Sequence, residues 1–235
     1  MTRASRNEGP GAIHHVVPQG NGRRRIVEDD QDRVSYLSRY ARISRELGWL
    51  THAGCLMDTH HHAVVETVEP NLGAGMRRLQ GGHARWLNAR HGSEGSVFKQ
   101  HFWSRCIGDG AWFMRACLYV VLNPVAAGLC KHPREWRWCS YAVTADGDTE
   151  AFAPGEQRLL GLFGETPREA RRNYAALVDE LAERVASRPF GDGRSVWRSL
   201  GEVLDEGVAL AQVSDSKSDT WVRSARFPSR SRTPG

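Results

Sequence analysis

WLTHAGCLMDTHHHAVVETV, residues Trp49 to Val68, decides how this chain is read. Its β-rich halves predict two strands, 49–57 and 61–68, meeting at Asp58-Thr59, a pair that is not an ideal two-residue hairpin turn. Upstream, residues 30–47 place Val34, Leu37, Tyr40, Ala41 and Leu47 at helical spacing and end at Gly48. Downstream, residues 71–90 carry Leu72, Met76, Leu79, Ala84 and Leu87 in the same rhythm, with Asn71 as N-cap and Gly92 and Gly95 as breakers. Farther out, residues 12–18 form a short strand ended by Gly20-Asn21-Gly22, and residues 96–107 form a fourth strand. A helix over 109–122 follows, stopped by Asn123-Pro124. The order strand, helix, strand, strand, helix, strand, helix is the βαββαβ plan of a ferredoxin-like α+β sandwich. That plan hosts many functions, so function must come from particular side chains.

The chain has 235 residues, 40% hydrophobic and 25% charged, which suits one medium core with an appendage and excludes wholesale disorder. Its net charge is +5 and its pI about 9.2. Residues 1–143 hold 19 Lys and Arg against 12 Asp and Glu; residues 144–235 hold 13 against 15. All ten histidines lie between His14 and His132. A basic first part suits an anionic partner, nucleic acid or membrane surface. Three regions follow: a basic, histidine-rich domain over 11–143, a C-terminal helical extension over 144–212, and a Ser-, Arg- and Pro-rich basic tail over 213–235 expected to be disordered. Within the extension, 155–163, 166–187 and 194–212 read as helices, with Thr166-Pro167 marking a start. No secretory signal and no membrane-spanning run is read, and five cysteines without a Cys-x-x-Cys pair suit reduced cytosolic thiols.

The densest chemistry is Asp58-Thr59-His60-His61-His62. On a strand, positions i and i+2 share a face, so His60 and His62 point together and His61 points away. Two imidazoles on a rigid strand are half of a site for a divalent metal, although three surface histidines are the commoner meaning of such a run. Tyr119 and Asn123, four apart on the last helix, also share a face. An amide oxygen suits Mg²⁺ or Mn²⁺. A phenol, weak at its ordinary pKa of about 10, becomes a nucleophile beside a cation or base. The plainer reading has Tyr119 packed in the core and Asn123 capping a helix end.

These residues resemble the HUH single-tyrosine transposases, in particular the REP-associated and IS200-like group, over roughly residues 11–143. Five segments in order carry the resemblance: His14-His15-Val16-Val17-Pro18-Gln19-Gly20-Asn21; Cys55-Leu56-Met57-Asp58-Thr59-His60-His61-His62; the helix with Gly75-Met76, Leu79, Ala84, Asn88 and His91; Val97-Phe98-Lys99-Gln100-His101-Phe102; and Tyr119 through Leu122-Asn123-Pro124-Val125-Ala126-Ala127-Gly128-Leu129. The resemblance implies Tyr119 as nucleophile and His60, His62 and Asn123 as ligands of a divalent metal ion, Mg²⁺ or Mn²⁺. It implies cleavage and rejoining of single-stranded or hairpin DNA through a 5′-phosphotyrosine, in a prokaryotic cytoplasmic, nucleoid-associated protein with no membrane partner. A homodimer is among the assemblies left open.

The chain departs from the family pattern at several places. His61 fills a position that is usually bulky and apolar, Thr59 replaces an asparagine, and His83 replaces a tyrosine of the second helix. Lys99-Gln100-His101 lacks the fourth strand's arginine, and Ala126 lacks another. The expected DNA contacts are Arg23, Arg24 and Arg25 in a Gly/Asn loop, Arg78 and Arg85 on one helix face, and Lys99. Trp86, Phe98, Phe102, Trp103 and Trp112 are expected mainly in the core, though one exposed ring would stack a base. Two other readings stay open: a catalytically silent or domesticated DNA-binding protein, and a metal-dependent hydrolase that uses water.

Overall fold

The structure, a computed structural model, describes residues 9–108, 110–147, 155–187 and 203–204. The expected order is present: β1 Ala12–Val17, α1 Asp30–Leu47, β2 Trp49–Leu56, β3 His61–Thr67, α2 Leu72–His91, β4 Trp103–Ile107 and α3 Gly110–Ala126. They are followed by α4 Tyr141–Asp146, α5 Glu156–Leu160 and α6 Pro167–Ala186. The four strands form one sheet in the order β2-β3-β1-β4 with every neighbouring pair antiparallel. This is the ferredoxin-like α+β arrangement. The expected helix over 194–212 and the tail over 213–235 fall outside the described residues, apart from 203–204.

Alternation along the strands sorts side chains to two faces. On one face Val16, Ala63, Val65 and Leu56 pack with Tyr36, Leu37, Tyr40 and Ile43 of α1 and Leu72, Met76, Leu79 and Leu87 of α2. On the other, Ile13, Ala53, Cys55 and Val64 pack with α3 and with Leu159, Tyr174, Val178 and Leu181 of α5 and α6. The C-terminal helices therefore share the core that lies over Tyr119. Between Thr51 and Ala53 the β2–β3 register shifts, leaving His52 as the extra residue of a bulge. Its ring reaches the Gly155 carbonyl at 2.6 Å and the Glu66 carboxylate at 3.1 Å, tying the extension to the sheet.

Several boundaries differ from the sequence reading. Val34 is exposed, because the buried stripe of α1 runs through Arg33, Tyr36, Leu37, Tyr40 and Ile43. Asn71 stands at the N-cap position of α2 without capping. Its amide instead accepts from Trp49 Nε1 at 2.6 Å and donates to the Leu47 carbonyl at 3.0 Å, which ties α2 to β2. The single strand expected over 96–107 is two pieces. Near Phe98 the chain pairs with Gly20, and only Trp103–Ile107 joins β1 as a ladder. Helix α3 runs through Pro124 to Ala126. Proline this close to a helix end removes one N–H donor while the turn still closes, with Ala127 N–H on Asn123 O at 2.9 Å and Gly128 at φ 71.

Candidate active site

Helix α3 packs on β2 and β3, over the sheet face that carries His62 and Val64 of β3 and Ile13 and His15 of β1. One face of α3 carries Tyr119 and, a turn later, Asn123. His60 lies just before β3, its backbone held by the Met57 N–H at 2.8 Å and by a bridge to Gln19. The His60 and His62 rings are 4.7 Å apart between centres, and the Tyr119 ring is 5.5 Å from His62. The Asn123 side chain lies beside both His60 and Tyr119, close enough to influence the ionisation of each. The fold thus gathers at one place the four residues singled out for chemistry, from two segments nearly sixty residues apart.

The site is dry. His62, Tyr119 and Asn123 are buried and His60 is half-buried. Burial pushes the Tyr119 phenol well above the ordinary tyrosine range, against the opposing pull of the Asn123 side chain. Burial lowers His60 to about 4 and takes His62 well below the ordinary imidazole value, where neighbouring imidazoles lower it further. Both rings are therefore neutral near pH 7 and keep a lone pair each.

His60 Nδ1 lies 2.9 Å from Thr59 Oγ1, and His62 Nδ1 lies 3.1 Å from His15 Nε2. With the proton on each Nδ1, Nε2 is the ring atom that carries the lone pair in each histidine. Metal-bound histidines are oriented in this way, the second ring nitrogen being fixed by a neighbour. Among the described residues no group of three or more His, Cys, Asp or Glu side chains is placed to hold a metal ion. The third donor beside the two imidazoles is the Asn123 amide. Two neutral imidazoles and one amide oxygen fit a borderline or hard divalent cation.

His61 turns to the opposite face, as strand alternation requires. It is fully buried, its Nδ1 3.2 Å from Tyr36 Oη, while Nε2 has no hydrogen-bond partner. His83, also buried, reaches the Ile26 carbonyl at 2.7 Å. The expected DNA-contact residues do not gather at one place. Arg23 is exposed in a left-handed conformation at φ 64. Arg24 is bonded to Ser93 Oγ at 2.8 Å, and Arg25 pairs with Asp58 at 3.0 Å and Glu28 at 3.3 Å. Arg78 is paired with Glu46, and Arg85 is exposed on α2, across the sheet from Tyr119. Lys99 is exposed and donates to Gln19 Oε1 at 2.7 Å.

Sequence reasoning passed over His15 as a site residue. Its ring lies 5.3 Å from His62 and 5.8 Å from Tyr119, and only the alignment of β1 with β3 brings it there. It also placed Trp103 and Trp112 with the core; both are nearly half exposed, whereas Phe98 and Phe102 are buried as expected.

A ferredoxin-like sheet with a His-x-His segment opposite a helical tyrosine is the arrangement that the resemblance to HUH single-tyrosine transposases implies. The model of the family described as "Transposase IS200 like" matches residues 11–107. The match contains His60 and His62 and ends before Tyr119. Among solved structures, a REP-associated tyrosine transposase bound to a REP hairpin is similar at a TM-score of 0.53 and 15% identity. The similarity covers 62% of this chain and 86% of that one. No curated protein matches the sequence. Among the described residues no helix is long and apolar enough to cross a membrane.

Proposed function

We propose that this chain cleaves and rejoins single-stranded DNA at hairpin or palindromic sites, with Tyr119 as the nucleophile. The observation that carries the reading is the convergence of Tyr119 and Asn123 on α3 with His60 and His62 of the β3 segment. Tyr119 Oη attacks a phosphodiester and the bond to the 3′ oxygen breaks. The product is a 5′-phosphotyrosine and a free 3′-hydroxyl, to which the phenolic proton is transferred in net terms. A second 3′-hydroxyl reverses the step and rejoins the strands. His60, His62 and Asn123 would hold a divalent ion, Mg²⁺ or Mn²⁺, which supplies Lewis-acid polarisation of the phosphate oxygen. Asn123, one helical turn from Tyr119, also stands beside the phenol and opposes the rise in its pKa.

The test is a denaturing gel of the protein with Mg²⁺ or Mn²⁺ and hairpin-bearing single strands from the host genome. A covalent adduct is expected, lost in Tyr119→Phe and on chelation, with DNA binding retained in the variant. No adduct across a broad hairpin panel overturns the reading. The burial of Tyr119 favours one other outcome, a DNA-binding protein that does not cleave, which gives salt-sensitive binding on the same panel without an adduct. Cleavage without an adduct marks water as the nucleophile.

A further inference from the structure

Beside Tyr119, between β4 and the first turns of α3, lies a cleft of about 250 Å³. Its walls come from two regular patterns. Along β4, Trp103 and Arg105 alternate onto the α3 side, opposite Val17 and His15 of β1. Along α3, Trp112, Arg115 and Tyr119 follow one another at helical spacing on one face. His15 and Tyr119 line the inner end.

The composition of this cleft is unusual. Trp103 and Trp112 expose 47% and 45% of their surfaces. Two such rings exposed together in one cleft form a contiguous apolar surface, the kind that marks contact sites. The Arg105 and Arg115 guanidiniums lie 4.7 and 5.0 Å from the centre of the Trp112 ring, and Trp103 stands perpendicular to His15. No acidic side chain is among the described residues of the lining. Two guanidiniums with no carboxylate attract an anion such as a phosphate, and two indoles offer flat faces that suit a planar ring beside it. A cleft smaller than the roughly 300–1,000 Å³ of drug-sized ligand sites suits a single planar ring. Base stacking on aromatic and arginine planes, with cations at the flanking phosphates, is the chemistry such a surface supports.

We infer that this cleft is a subsite for one unpaired nucleobase of the strand whose phosphate lies at Tyr119. Trp103 and Trp112 stack the base, and Arg105 and Arg115 contact the phosphates on either side. The inference rests on the proposed single-strand DNA reading and names where the strand is gripped. A base held there keeps the scissile junction extended and unpaired.

The experiment uses the full chain carrying Tyr119→Phe, without metal, so that binding is read apart from cleavage. The probes are a twelve-nucleotide oligothymidylate, the same strand with one 2-aminopurine, and a series with one abasic site moved along it. Binding should quench 2-aminopurine at one or two positions only. Trp112→Ala and Trp103→Ala should each weaken binding by roughly 5- to 150-fold, the range for loss of one stacked base. Trp112→Phe and Trp103→Phe should keep most of it, which separates stacking from misfolding, as should unchanged melting temperatures. An abasic site at the quenched position should weaken wild-type binding and add little in the alanine variants. Unchanged affinity in both alanine variants, or additive losses at every abasic position, overturns the subsite. A chain that stacks the base but forms no adduct when Tyr119 is intact loses the catalytic reading and keeps this one.

Discussion

His15 shows how one side chain sets the chemistry of another. Its Nε2 stands 3.1 Å from His62 Nδ1, both rings buried beside Tyr119. If His15 accepts, the His62 proton stays on Nδ1 and the Nε2 lone pair is presented to the site. Burial holds His15 itself neutral, its pKa lowered to about 3, so it is available as an acceptor across the working pH range. Replacing it with alanine leaves the His62 tautomer and rotation unfixed, and losing such a partner lowers metal affinity by roughly 10- to 100-fold. His15→Gln, whose amide oxygen can accept, should recover much of the loss. Calorimetric titration of the metal-free chain with Mn²⁺ measures both. An alanine variant that binds Mn²⁺ like the wild type removes His15 from this role. The residue was not legible as such in the sequence, because 47 positions separate it from His62 and only the strand pairing brings them together. His60 and His62 were legible because strand alternation is local, and Tyr119 with Asn123 because helical spacing is local too.

The elements show the same division between local pattern and tertiary demand. Glycine inside a helix ordinarily costs about 0.5–1 kcal/mol relative to alanine. Helix α2 contains glycines with opposite answers. At Gly75 an added methyl group would overlap Trp49 and the Leu47 side chain, where α2 docks on β2 and Asn71 fastens the Trp49 indole. At Gly81 the nearest atom is the tip of Arg85, 3.7 Å away. Gly81→Ala should therefore raise stability by about 0.5–1 kcal/mol, and Gly75→Ala should lower it by about 1–3 kcal/mol through overpacking. Urea unfolding of the two variants decides; a Gly75→Ala protein as stable as Gly81→Ala would mean that α2 does not dock so closely. The strands and helices themselves were readable, since β2, β3, α1, α2 and α6 repeat their pattern over several turns or pleats. The break between Phe98 and Trp103 was not, because an apolar run does not say where a ladder begins. The passage of α3 through Pro124 was hidden because a proline stop and a proline in a last turn look alike in sequence. Trp103 and Trp112 read as core by composition, and only the assembled sheet leaves them facing outward.

At the scale of the whole molecule, the histidines make folding sensitive to acid. Burial lowers His15 and His61 to about 3 and His60 to about 4, and it also lowers His52, His62 and His83. In the unfolded chain each returns to a value near 6.5. The unfolded state therefore binds more protons between these limits, so stability is full above about pH 6.5 and is lost as pH falls toward 4 and then 3. Each such histidine adds a slope of up to about 1.4 kcal/mol per pH unit within its window. Unfolding of the metal-free chain should thus begin below neutrality, before most carboxylates titrate. His61 gives the cleanest separation. It lies across the sheet from Tyr119, contacts Tyr36 and Tyr40, and leaves Nε2 without a partner. Replacing it with leucine, together with Tyr36→Phe, removes a polar pair and an orphan nitrogen from an apolar core, a change that is nearly neutral or stabilising at pH 7.5. The double variant should also lose one histidine's share of the slope between pH 6.5 and 4.5, measured from urea midpoints with chelator present. If the slope is the same as in the wild type, His61 is not held neutral by the fold, and the acid sensitivity belongs to the other buried imidazoles.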